Sequence, residues 1–272
     1  MDLKQAGAAT GGGALIGTLG GLIGLGGAEF RLPLLIGAFG FPALEAIILN
    51  KAMSLIVVAS ALPFRAMSVP FVEVFSHWTV IVNLLAGSLI GARLGSGWAT
   101  KLRSEALYKI IGGLLFAIAV ILVVAHDAST GAPILTGVTQ IVAGVCSGLV
   151  IGVVAAILGV AGGELLIPTI VLLFGADIKL AGSLSLAVSL PTMIVAFARY
   201  SRDSSFAVLG RNRPFVMLMA AGSVAGTFLG GLLLGAVPSR ALLPALAAIL
   251  VLSAIKVWRH KPLIKNQAKT IS

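Results

Sequence analysis

With 272 residues, 58% apolar and only 10% charged, the chain cannot cover itself with polar groups as a soluble domain does, where roughly a quarter of residues are charged. A mean hydropathy of +1.11 and apolar runs such as Ile110–Ala125, Gly137–Val160 and Pro214–Val237 exclude a soluble fold and exceed what one signal peptide explains. The net charge of +10 is no nucleic-acid signature, because the basic residues sit in short loops and in Lys256–Lys269, where the positive-inside rule puts them.

In lipid the backbone must satisfy itself, and continuous apolar runs rather than period-two alternation select helices over a barrel. In chain order the first half holds segments near Gly7–Leu25, a short one near Phe30–Phe39, then Ala43–Phe64, His77–Trp98 and Ala106–Ala125. The second half holds Ile134–Leu158, a short one near Leu165–Phe174, then Ile178–Arg199, Pro214–Val237 and Ala241–Val257. The short segments, about 15 Å as helix, cover half a hydrocarbon core. The expectation is eight full spans and two half-length segments. Cys146, the single cysteine, excludes an intramolecular disulfide and reads as a small packing residue within its span.

The two halves repeat. GLIGLGGAEFRLP at Gly21–Pro33 returns as AILGVAGGELLIP at Ala156–Pro168, an offset of 168 − 33 = 135 residues. Without gaps that offset also pairs Gly13 with Gly148, Glu29 with Glu164, Ser54 with Ser189, Ser88 with Ser223 and Gly91 with Gly226. With Lys256–Lys269 placed in the cytoplasm, the basic loop Ser201–Arg213 falls inside. Its first-half equivalent, Arg65–Ser76, is poor in charge, while Lys101–Lys109 is basic. This swapped bias fits halves of opposite orientation, provided each short segment changes sides. The expected fold is therefore all-α and polytopic, with inverted repeats over 1–130 and 131–260 and a basic tail over 261–272. Both termini are expected in the cytoplasm.

Interrupted segments at equivalent positions of such repeats point to a transport site. Here they are Gly24–Pro33 and Gly159–Pro168. Gly26, Gly27, Gly162 and Gly163 relax the helix, and Pro33 and Pro168 remove backbone donors. Amides exposed at half-helix starts can hold an anion. Charges inside spans invite functional readings: Glu29 and Glu164 could couple protons, cap amides or pair with a cation. Arg31 and Lys51, whose equivalents are Leu166 and Leu186, would meet an anionic substrate or pair internally with Glu29 or Glu45. Asn50 and Ser54 share a helix face, as do Ser185 and Ser189; they suit either an oxyanion or interhelical bonding. Gly87/Gly91 and Gly222/Gly226 read as packing contacts, Arg93 as a snorkelling side chain, and Trp78, Trp98 and Trp258 as interfacial anchors. His126 and Asp127 complete no metal set. No P-loop, zinc motif or Ser–His–Asp arrangement supports an enzyme, a cofactor or an ATP-driven pump.

At GLIGLGGAEFRLPLLIGAFGFP, followed by AIILNKAMSL, the chain resembles the sulfite exporter TauE/SafE family, and GVAGGELLIPTIVLLFG repeats the signature in the second half. The segment LLAGSLIGARLGSGWATKLRSEALYKIIGGLLFAIAVIL is similar to that family's glycine-rich span, basic loop and following helix. The resemblance implies a bacterial-type inner-membrane carrier of sulfite, organosulfonates or other small organic anions, coupled to the proton gradient. Ala28 stands where the family usually has a further glycine. An anion channel, or a cation-coupled importer of another small organic solute, stands as the alternative.

Overall fold

The structure is a computed structural model. It describes residues 3–102 and 133–234, with Ala106, Lys109, Ile110, Gly113, Phe116, Ala236 and Val251; the side chains of Ile23 and Glu29 are excepted. Helices run over Leu3–Ile23 (α1), Ala28–Gly37 (α2), Ala43–Arg65 (α3), Phe71–Ser76 (α4) and Trp78–Ala99 (α5). After the interval come Gly137–Leu158 (α6), Gly163–Phe174 (α7), Ile178–Tyr200 (α8), a 3₁₀ turn at Ser204–Ala207, Val208–Arg211 (α9) and Arg213–Leu233 (α10). Among the described residues α3, α5, α6, α8 and α10 are long and apolar enough to cross a membrane. The chain is an all-α, polytopic bundle. The expected spans Ala106–Ala125 and Ala241–Val257, together with Trp258, His126, Asp127 and the tail, lie wholly or mostly outside the described residues.

Element bounds repeat with the sequence: α3 at Ala43–Arg65 and α8 at Ile178–Tyr200 both start and end 135 residues apart. Local signals explain the ends. Asp177 caps α8 by accepting from the amides of Lys179 and Leu180 at 2.8 and 3.4 Å, and Glu45 and Arg65 sit at the ends of α3 that suit its dipole. Pro33, Pro168 and Pro191 lie inside helices, which lipid-embedded bundles tolerate where neighbours satisfy the freed groups.

The helices pair crosswise between halves: α1 packs on α10, α5 on α6, and α3 and α8 meet at the centre as the most enclosed long helices. Glycines set the two seams. A Cβ added at Gly13, Gly17 or Gly21 would overlap the carbonyls of Met219, Ser223 or Thr227, and one at Gly226 that of Ala14. On the other seam a Cβ at Gly91 would overlap the Leu149 carbonyl, and one at Gly152 that of Ser88. Without a hydrophobic drive between helices in lipid, such backbone proximity maximises dispersion contact. The Gly87/Gly91 and Gly222/Gly226 pairs are thus packing residues. Trp78 and Trp98 are exposed at the two ends of α5, and Arg93 is exposed on it. Cys146 differs from the expectation: it is exposed on α6, because in a lipid-facing helix a small apolar residue fits either side.

Candidate functional site

Both short helices begin at glycines in the left-handed region: Gly27 (φ 64°) precedes α2 and Gly162 (φ 86°) precedes α7. No side chain with a Cβ adopts that conformation without cost, so the chain can leave one helix and re-enter another within four residues. The breaks are narrower than the sequence suggested, covering Gly24–Gly27 and Gly159–Gly162, while Pro33 and Pro168 sit one turn and more inside α2 and α7. They also meet. A Cβ on Gly163 would lie 3.1 Å from the Gly24 carbonyl oxygen and from the Leu25 Cα, and one on Gly26 3.2 Å from the Ala161 Cβ. The two breaks therefore touch through Gly163 and Gly26, while Gly27 and Gly162 lie against Ile16 and Ala155 of their own halves.

Beside this junction lies a buried polar cluster. Arg31, on the second turn of α2, is 0% exposed. Among its interactions, Nη1 donates to Ser54 Oγ at 3.2 Å and Asn50 Oδ1 at 3.5 Å on α3, and Nη2 to Ser223 Oγ at 3.5 Å on α10. Asn50 links the cluster to the second break, its amide nitrogen donating to the Leu158 carbonyl at 3.5 Å. The second half has the same frame without the cation. Leu166 replaces Arg31, Ser88 and Thr192 bond each other at 2.8 Å, and Ser189 Oγ has no partner among the described residues.

Lys51 and Ser185 serve the breaks instead. Lys51 Nζ donates to the carbonyls of Val160 at 2.6 Å and Ala155 at 3.1 Å, at the end of α6. Ser185, the equivalent of Asn50, donates to the Gly24 carbonyl at 3.0 Å and to Gly182 at 2.8 Å. Each half thus holds the other half's break. Glu164 lies in the first turn of α7, fully buried, and neither carboxylate oxygen has a hydrogen-bond partner among the described residues. The side chain of Glu29 lies outside the described residues. Glu45 pairs with Arg211 at the surface, so it is not the counter-ion of Arg31 or Lys51.

Three contributors were not anticipated. Ser223 joins the Arg31 cluster although it stands in a glycine-rich packing stripe; its exact repeat partner, Ser88, was the available signal. Arg65 reads as a loop charge but is buried. It donates to Gly21 and Leu22 carbonyls at 3.1 Å each, to Lys179 O at 2.8 Å and to Ser183 Oγ at 3.2 Å. Tyr200, its equivalent, donates to Ala156 O at 2.7 Å, and Ala156 is the equivalent of Gly21. The same register holds both helix ends by different chemistry.

The sequence matches the sulfite exporter TauE/SafE family over residues 9–257. The chain belongs to that family. TauE/SafE proteins are transporters and not enzymes. Family and fold together make the chain a multi-pass membrane transporter of a small anion. No curated protein and no solved structure matches it.

Proposed function

We propose that the chain is a proton-coupled carrier of a sulfur oxyanion or organosulfonate, working by alternating access of two inverted repeats, 1–130 and 131–260, in a bacterial-type inner membrane with cytoplasmic termini. The observation that carries the reading is the Arg31 guanidinium, enclosed with Asn50, Ser54 and Ser223 from helices of both halves beside the meeting point of two half-helix starts. Arginine offers a planar fork of donors matched to oxyanions. Amides at the starts of α2 and α7 add partial positive charge. The crosswise pairing of α1 with α10 and α5 with α6 supports the inverted arrangement. Burial of Arg31, Asn50, Lys51, Ser54, Glu164, Ser185 and Ser189 to 1% exposure or less suits an occluded carrier intermediate better than an open pore. Glu164, a buried acid without a hydrogen-bond partner among the described residues, supplies the proton site in this reading.

The test is a thermal-shift screen of the detergent-purified protein against sulfite, sulfate, thiosulfate, sulfoacetate, taurine, lactate and chloride. Millimolar ligand at micromolar affinity stabilises the folded state by about 4 kcal/mol. A selective rise with one sulfur anion, absent in Arg31→Ala, supports the reading; a rise only with uncharged solutes defeats it. For the coupling, Glu164→Gln should retain exchange of labelled anion but lose accumulation driven by a pH gradient. Accumulation at the unaltered level would remove Glu164 from that role.

A further inference from the structure

The second break is built as a cation site. At the end of α6 the Ala155 and Val160 carbonyl oxygens converge on one point, 3.1 and 2.6 Å from Lys51 Nζ. Their convergence follows from the turn at Gly159 (φ 69°), after which the Val160 amide itself bonds back to Ala155 O at 3.0 Å. Glu164, fully buried, stands at the start of the next helix. Carbonyls of an unwound segment, the negative end of a helix dipole and a nearby carboxylate are the oxygen donors with which transporters of broken-helix design hold a coupling cation. Here the place is taken by an ammonium carried on α3.

We infer that Lys51 is a tethered cation filling an alkali-ion site, so that the second break binds no dissolved sodium ion and the protein's stability and transport are independent of sodium. The equivalent of Lys51 is Leu186, so the device exists once per chain. The first break is held by Ser185 on the Gly24 carbonyl, and the end of α1 before it by Arg65 on the Gly21 and Leu22 carbonyls. Both cations come from α3, which thereby fastens the carbonyl end of each interrupted helix. The inference does not depend on the identity of the transported anion, and its test reads cations only.

The test compares unfolding of the full chain in detergent in sodium, potassium and choline chlorides at equal ionic strength and fixed pH. The wild type should unfold at the same temperature in all three. Lys51→Ala, which empties the ammonium position, should unfold at lower temperature in choline and recover by about 5 °C as sodium saturates the vacated carbonyls. Lys51→Met, which fills the space with an apolar chain of similar length, should be destabilised without a sodium response. A selective sodium shift in the wild type would overturn the inference, as would a folded Lys51→Ala indifferent to the cation. If Lys51→Ala is purified in parallel in sodium and choline, folded yield confined to sodium supports the inference and no folded yield in either overturns it.

Discussion

Arg31 is the side chain whose replacement separates charge from shape. Arg31→Lys keeps a cation but loses the fork that reaches α3 and α10 together, and a hydrogen bond to a charged group is worth about 1.5–3 kcal/mol. The expected outcome is anion affinity weakened about 10-fold to 100-fold in Arg31→Lys and not measurable in Arg31→Ala, read by titration calorimetry or by ligand-dependent unfolding. Ser223→Ala should weaken it less, because it removes one neutral acceptor. At this scale the sequence was legible where polarity interrupts an apolar run, as at Arg31, Asn50 and Ser54. It was not legible where two partners satisfy the same charge equally well: the cost of burying Lys51 is met by backbone carbonyls, and nothing in its own spacing tells those from a ligand. Arg65 was passed over because the apolar run stops at Phe64, while the helix goes one residue further.

The elements depend on glycine at their seams and on capped carbonyls at their breaks. Gly91→Val and Gly226→Val, equivalent positions on the two seams, should each destabilise by about 1–3 kcal/mol or prevent folding, since the new side chain meets the carbonyls of Leu149 and Ala14. Gly11→Val, with nothing within 4 Å of an added Cβ, should fold normally, and size-exclusion profiles after mild heating distinguish the cases. Tyr200→Phe should cost about 1 kcal/mol for its single bond. Arg65→Ala should cost more, about 3 kcal/mol or above, because three buried acceptors and a part-buried one on α1 and α8 lose their donor together. The short helices were legible to within two residues from the lengths of apolar runs. Pro33 and Pro168 lie inside the short helices, where they remove backbone donors, and the breaks themselves carry the positive-φ glycines.

For the whole molecule, the 135-residue register foretold which helices would match, and the element bounds of α3 and α8 repeat it exactly. What it did not supply is the crosswise pairing, because self-similarity fixes correspondence but not contact. If the halves are inverted, single cysteines at the exposed positions Ser68 and Ser201, in a background where Cys146 is replaced by serine, should react with an impermeant maleimide from opposite faces of sealed vesicles. Reaction of both from one face would refute inversion. Most direct for the central claim is counterflow in proteoliposomes loaded with a high concentration of the anion selected by thermal shift and diluted into a trace of the same anion labelled. A carrier should accumulate label transiently above equilibrium, with Arg31→Ala abolishing the overshoot. Label that enters without overshoot, unsaturably and in proportion to the membrane potential, would contradict the carrier account and make the same buried cluster the filter of a channel.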